Sequence, residues 1–368
     1  MILFSCATLA PVVMILLGAA FGGIWPAAVL LYITVLAVVL DRLIAAAPGK
    51  AEETEFPAAP VLLAVLGAAH FAVFAAAVWA VSGQAGLVVW QRVCLGVAAA
   101  LVFGQIAHPV AHELIHKRTR ALRLMGAAIY ASLLAGHHAS AHLLVHHVHV
   151  ASAGDPSSAC RGEGYYRFVW RAGRGAFMAG LRAETVMLRR AGRPRWRHPY
   201  LLYVVGAVAC IALAFVLGGV AGILGYIAMC LYAQMQILMS DYVQHYGLRR
   251  AVLPDGRLEP VGPRHSWNAA HRFSSALTLN APRHSDHHIS PARLYPDLRL
   301  NPDDMPCLPY SLPIMAALSL APPIWRRIMD RRVDKWAAPS GLTPELCCTK
   351  PLKFEVPLSP DGFSPRPL

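Results

Sequence analysis

The chain has 368 residues, of which 56% are hydrophobic and only 14% charged. Soluble domains run near a quarter charged. This composition, with a mean hydropathy of +0.46, excludes a disordered chain, a coiled coil and a secreted disulfide scaffold, and it reads as an integral membrane protein. The 33 basic and 20 acidic residues leave a net charge of +13, and their distribution along the chain assigns that excess to a membrane lipid surface, with no nucleic-acid partner expected.

No charge occurs before Asp41, and Gly22-Gly23 followed by Trp25-Pro26 interrupts the opening apolar run. Two helices are predicted there, over about 3–21 and 24–40, packed as a hairpin. A signal peptide does not fit, because there is no basic leader and the apolar run continues past any cleavage site. Further transmembrane helices are predicted over about 58–81, 87–108, 199–217 and 220–240. Of the 33 Lys and Arg, only Arg92 lies near the turns after helices one, three and five. The expected fold is therefore an all-α integral membrane protein, six transmembrane helices in three hairpins with a cytoplasmic histidine-rich helical cap over about 109–198 and 241–338. Both termini and the metal site would face the cytoplasm, in a multi-pass protein of a bacterial-type inner membrane.

Within the cap, 121–136 is apolar but short and reads as a helix lying in the cap or re-entering the interface. Leu312 to Trp325 is similar, and Arg326 to Arg332 reads as a basic surface helix at the headgroups. Residues 1–338 read as a single domain, and 339–368, rich in Pro and Ser, as a flexible tail. The cysteines stand at 6, 94, 160, 210, 230, 307, 347 and 348 without any C-x-x-C, which rules against an internal zinc ribbon or a fused rubredoxin-type iron site.

Chemistry is carried by the 17 histidines. His112 and His116 are four apart on the extension of the fourth helix. His142, His146 and His147 form a second set, His284, His287 and His288 a third, and His245 stands at the foot of the sixth helix. Imidazole suits zinc, copper and iron, and i,i+4 spacing lets two rings grip one ion. A lone membrane-surface histidine is more often a snorkelling or capping residue; three clusters at one membrane face are not. Nine ligands exceed the needs of one ion, whereas two ions with four or five each would use them all and leave open positions. His112-Glu113-Leu114-Ile115-His116 also matches H-E-x-x-H, the zinc metalloprotease signature with Glu113 as general base. That reading leaves seven of the clustered histidines unexplained.

The motifs resemble those of the integral-membrane alkane 1-monooxygenases, within the superfamily of membrane fatty acid desaturases and hydroxylases. His112-Glu-Leu-Ile-His116-Lys117 resembles H-E-L-G-H-K, and His142-Leu-Leu-Val-His146-His147 with Gly154-Asp155-Pro156-Ser157-Ser158 resembles the second box. His245-Tyr-Gly-Leu, His265-Ser-Trp-Asn268 and Arg283-His284-Ser-Asp286-His287-His288 match the remaining elements, in order, between residues 112 and 288. The chain is also similar to the xylene monooxygenase branch. The resemblance implies two non-haem Fe ions held by His112, His116, His142, His146, His147, His245, His284, His287 and His288. His137, His138, His149, His265 and His271 are not carried over. Departures are Ile115 for Gly, Ala141, Leu143 and Val145 for the Glu, Asn and Gly of the second box, Gln244 for Glu, and Pro282 before the last box. They thin the polar groups around the ligands and leave every ligand position a histidine.

The implied reaction uses O2, two electrons and two protons to convert the terminal C–H of an apolar hydrocarbon substrate into C–OH and water. No flavin, haem or iron–sulfur signature is present, so a rubredoxin or ferredoxin-type electron donor and its reductase are implied. Arg249, Arg250, Arg257 and Arg264 are candidate docking residues for an acidic donor. Trp79, Trp90, Leu101 and Phe103 are candidates for the walls of an apolar slot. Asp286, between ligand positions, and Asp155 are candidates to fix an imidazole tautomer. A xylene-type methyl-aromatic hydroxylase, a fatty acyl desaturase, the zinc metalloprotease and a metal or haem transporter are the alternatives; the last needs polar residues inside transmembrane helices that here are almost bare of charge.

Overall fold

In the computed structural model of the chain, residues 1–44, 56, 58–336 and 343–344 are described; the segment 339–368 lies outside them apart from Thr343 and Pro344. The protein is mostly helical. Five helices are long and apolar enough to cross a bilayer: α1 (Ile2–Phe21), α2 (Trp25–Leu43), α3 (Ala58–Val81), α4 (Val89–Ile115) and α8 (Pro199–His245). Shorter helices build the histidine-rich part: α5 (Arg120–Ser132), α6 (137–149), α7 (Tyr165–Arg190), α9 (Arg272–Leu277), α10 (His284–Ile289), α11 (Leu312–Ser319) and α12 (Pro322–Lys335). The sheet content among the described residues is one two-residue pairing of Ala251–Val252 with Thr343–Pro344, antiparallel.

α8 is 47 residues long but not one rod, because Gly218 and Gly219 leave helical geometry, Gly219 with φ of 59°. Only glycine adopts that conformation without strain. Residues eight apart in a straight helix lie about 12 Å apart, yet a Cβ at Gly222 would strike the carbonyl of Ala214. The two arms of α8 therefore fold back alongside each other, split where the sequence puts its Gly-Gly pair.

Two helices run further than predicted. α4 passes His108 and ends at Ile115 despite Pro109, because a π-helical turn over Phe103–Ala107 precedes it. Proline needs the carbonyl four residues back to be unbonded, and an i→i+5 turn supplies that. α8 continues past 240 to His245, since Asp241, Gln244 and His245 are buried and stay helical.

α5 dips among the apolar helices. Its C-terminal carbonyls would be costly orphans in a lipid-level setting, and partners from the long helices satisfy them. Tyr226 donates to the Ser132 carbonyl at 2.8 Å and Gln234 to the Leu133 carbonyl at 2.9 Å. His70, on α3, meets the Ser132 hydroxyl at 2.7 Å. Leu134 then turns the chain with φ of 55° and α6 returns towards the histidine cluster.

Asp41, the first charge in the chain, caps α9: its Oδ1 accepts from the backbone N–H groups of Phe273 and Ser274, both at 2.9 Å. Asp41→Ala should cost about 0.5–2 kcal/mol by uncovering those donors, read as a lower unfolding midpoint in detergent.

Candidate metal centre

The nine clustered histidines come from four places in the fold. α4 brings His112 and His116, α6 brings His142, His146 and His147, the end of α8 brings His245, and α10 brings His284, His287 and His288. Their ring nitrogens converge in two groups, each with all ligand atoms within 4.8 Å of one another: His112, His116, His142, His147 and His287 in one, His146, His245, His284 and His288 in the other.

A π-helical turn over His142–His146 produces this partition. In a regular α-helix, His142 and His146 would share a face at i,i+4. With i→i+5 bonding, His142 comes to the same face as His147, the two rings meet edge-on, and their Nε2 atoms stand 2.9 Å apart. His146 is turned into the other group.

Hydrogen bonding alone cannot satisfy this arrangement. His284 Nε2 faces His245 Nε2 at 2.9 Å and His288 Nε2 at 3.1 Å. His147 Nε2 likewise faces His142 and, at 3.2 Å, His287. One ring nitrogen carries one proton or one lone pair, so three converging nitrogens leave at least one unmatched. The buried Nε2 atoms of His112, His116 and His146 have no partner at all. A cation at each centre accepts every lone pair, so the residues fit two metal ions.

Burial first, then the neighbouring imidazoles, holds His142, His284, His287 and His288 well below the usual histidine range, and His147 is lowered to about 3. Neutral rings are the form that binds metal. His146 is shifted upwards: burial lowers it, but Asp155 outweighs burial. Asp155 is lowered in turn, burial being outweighed by His146, Ser158 and Ser157.

Of the two carboxylates considered from sequence, Asp155 is the one on a ring. Its Oδ2 accepts from His146 Nδ1 at 2.9 Å and from the Ser158 hydroxyl at 2.6 Å, and its Oδ1 from the Ser157 N–H at 3.0 Å. An ionised carboxylate only accepts, so Nδ1 carries a proton, and in the neutral ring Nε2 then holds the lone pair. Asp286 instead accepts from the Arg299 N–H at 2.9 Å and lies 3.3 Å from Arg293.

The His265-Ser-Trp-Asn268 segment braces ligands. Trp267 donates from its backbone to Gln244 at 2.7 Å and from its indole to Tyr246 at 2.9 Å, fixing the chain around His245. Asn268 bridges to α10: its Oδ1 accepts from Ser285 N–H at 3.0 Å and its Nδ2 donates to Ser285 Oγ at 2.8 Å. His265 bonds Glu259 at 3.0 Å and stays outside both groups. Gln244 donates to the Ala281 carbonyl at 2.9 Å. Asn268→Ala strands a buried N–H and should cost about 1–3 kcal/mol; faster metal loss to a chelator and a lower unfolding midpoint are the readouts.

Other sequence candidates fall elsewhere. Glu113 is paired with Lys117 at 2.8 Å, and His112 and His116 join three more imidazoles, which is not the pair-plus-one set of a zinc protease. Trp79 and Trp90 face outwards, whereas Leu101 and Phe103 are buried. Arg250 donates to the Glu259 carbonyl at 2.6 Å, and Arg249 and Arg264 also reach backbone carbonyls; Arg257 is exposed and pairs with Asp255.

A cavity lined by His112, His142 and His287 together with Pro109, Leu279 and Leu298 adjoins the centre. His108, His138 and Asp241 also line it. His138 stacks on His142 at 5.4 Å, and His108 meets the Tyr130 hydroxyl at 3.0 Å. Sequence reading assigned His108 and Tyr130 no part here, because both lie inside apolar runs without a motif around them.

The fatty acid desaturase family model matches residues 87–315. Alkane 1-monooxygenase 2 of Pseudomonas aeruginosa is 30% identical over 340 residues, 88% of each chain. Alkane 1-monooxygenase 1 of Alcanivorax borkumensis is 35% identical over 274 residues, 73% of this chain and 66% of that one. The xylene/toluene monooxygenase hydroxylase component XylM of Pseudomonas putida is 29% identical over 325 residues, 84% of this chain and 83% of that one. The family-model match spans the four segments that carry the histidines, and with these relatives it shows that the chain belongs to the fatty acid desaturase family, among its alkane 1-monooxygenase-like oxidoreductases.

Proposed function

We propose that the chain is a non-haem di-iron monooxygenase that hydroxylates the terminal carbon of alkanes or related hydrocarbons, using O2 and electrons from a rubredoxin-type donor. The observation that carries this reading is the convergence of five and four imidazoles, all buried except the half-buried His116 and His147, beside a cavity where Pro109, Leu279, Ala281 and Leu298 line the wall together with histidines and other polar side chains. Residues 1–338 act as one domain. Six spans in three hairpins, two of them the arms of α8, stand in a bacterial-type inner membrane with the histidine-rich cap and both termini on the cytoplasmic side, as the basic residues suggest.

When bound, the two irons would supply the reductive activation of dioxygen. The nine histidines hold them as neutral ligands, and Asp155 keeps the His146 proton on Nδ1. An alkane offers no charge or hydrogen bond, so it is held by apolar contact, at about 0.8 kcal/mol per buried methylene. Pro109, Leu279 and Leu298 supply such contact next to the ligand rings and keep water from the reacting carbon. Overall, R–H, O2, two electrons and two protons give R–OH and water. The electrons come from a separate protein, for which an acidic partner suits a chain of net charge +13. Similarity to XylM favours a second reading, methyl-aromatic hydroxylation at the same centre.

The test is metal content of the detergent-purified protein, followed by product analysis with octane and with xylene under a rubredoxin–reductase supply. Two irons per chain and 1-octanol support the proposal. Methylbenzyl alcohol without octanol moves the chain to the aromatic reading. One zinc and no iron from iron-supplemented cells overturns both.

A further inference from the structure

The longest helix outside the apolar spans, α7, has three distinct faces. At 3.6 residues per turn, its eight buried residues, from Phe168 round to Glu184, occupy an arc of about 160° against the rest of the protein. Tyr166, Phe177 and Trp170 fall within the adjoining arc of about 40°, and they are 55%, 42% and 83% exposed. Arg174, Arg167, Arg189 and Arg182 fill the next arc of about 80°; all are exposed, with no ion pair among the described residues. Aromatic side chains so open to water are costly, and their segregation beside arginines marks a helix that lies in a membrane interface.

The height of α7 relative to the spans comes from an independent set of contacts. Tyr200, on the first arm of α8, donates to the Phe177 carbonyl at 2.9 Å. Tyr165 donates to the carbonyl of Met235, on the second arm, at 2.6 Å. Tyr200 is about 18 residues and Met235 about 16 residues from the Gly218-Gly219 break, or about 27 and 24 Å along the two arms. Two separate points of α7 thus touch the folded-back hairpin at nearly the same level, so the helix runs across the arms. That level lies close to one hydrocarbon thickness, about 30 Å, from the hairpin tip. The loop after α7 returns to the same plane: Arg197 lies 4.9 Å over the ring of Trp196, which is 69% exposed, and the apolar span starts at Pro199.

We propose that the outer face of α7 and the loop 191–197 form a docking surface for anionic phospholipid headgroups. Trp170, Phe177 and Trp196 enter the boundary of the acyl chains, and Arg167, Arg174, Arg182 and Arg189 meet the phosphates. The proposal rests on the spans crossing a bilayer and not on the metal or the reaction. Its other face packs on the second histidine box, where Ser140 donates to Glu184 of α7 at 2.6 Å, so lipid contact would help seat that box.

The full-length protein is reconstituted in phosphatidylcholine, with or without phosphatidylglycerol. Indole emission is compared between wild type and the Trp170→Phe/Trp196→Phe variant. The emission lost in the variant should be quenched by phosphatidylcholine brominated near the glycerol end of its chains and be shielded from aqueous iodide. Quenching by iodide and not by bromolipid overturns the proposal. The second measurement uses Arg174→Ser/Arg182→Ser/Arg189→Ser, with enrichment of phosphatidylglycerol over phosphatidylcholine in co-purified lipid as the readout. Each arginine removed should lower that enrichment by up to about fivefold. Unchanged enrichment, with turnover lost only when the acidic electron donor is limiting, would assign the arginines to protein docking and overturn the lipid reading. Both readouts register whether or not the chain hydroxylates hydrocarbons, so failure here and failure of the proposed activity are separable.

Discussion

Replacing His287 with alanine should abolish normal iron loading and reduce hydroxylation by more than about a thousandfold, the loss of roughly 4 kcal/mol of transition-state stabilisation. His287 is the ligand that α10 alone sends to the five-histidine group, whereas His284 and His288, four residues apart, turn to the other group. Its ring sits 4.4 Å from that of His112 and 5.0 Å from that of His147, so its removal opens the group between α4 and α6. No other α10 side chain replaces it, because Asp286 is held by Arg299 and Arg293. His138→Ala is the matched control: that ring stacks on His142 but belongs to neither group, and the variant should keep its metal. Metal analysis by mass spectrometry on both variants decides the matter. Normal iron in His287→Ala would sink the nine-ligand arrangement, and loss of iron in His138→Ala would show a tenth ring in use.

The partition of the histidines into two groups was not legible in the sequence. Spacing and motif resemblance single out the same nine positions that meet in space. They cannot assign His146 and His147 to opposite groups, because that depends on a π-helical turn with no local signature in His142–His146. The sequence offers Asp155 and Asp286 alike as partners for an imidazole, and only the fold separates them. The turn at Asp155-Pro156 aims the Asp155 carboxylate at His146. Asp286 lies between ligand positions and reads as their neighbour, yet a six-residue helix points it towards Arg293. Apolar runs were the most legible feature, since bilayer length leaves few alternatives to a helix. Where they end was less so: α4 and α8 run on past 108 and 240 as buried helix that carries Glu113 and Asp241. Arg249, Arg250 and Arg264 show the limit of charge counting, as a positive residue in the cap is as readily a brace for a buried carbonyl as a surface for a partner.

Asp155→Asn should weaken metal binding in the four-histidine group by about 10–100-fold while leaving the five-histidine group filled. The substitution preserves shape, so the effect comes from hydrogen-bond polarity. In the native side chain, one carboxylate oxygen accepts from His146 and Ser158 and the other from the Ser157 N–H. An amide has one oxygen for these two sites. With its oxygen towards Ser157, its NH2 meets His146 Nδ1–H, and the ring avoids two facing donors by moving its proton to Nε2. That proton removes the lone pair the metal needs. With the amide flipped, the NH2 faces the Ser157 N–H instead and the turn that carries the residue loses its anchor. Either orientation leaves a donor unmatched in a site where Asp155 is only 2% exposed, at a cost of about 1–3 kcal/mol. Stepwise removal of metal with a chelator of graded strength should therefore release one ion per chain early from Asp155→Asn and both together from wild type. In the double variant with His287→Ala, the ion of the four-histidine group should leave at that same early step. A single late step in Asp155→Asn, indistinguishable from wild type, would mean that His146 is oriented by packing on α7 and not by the carboxylate.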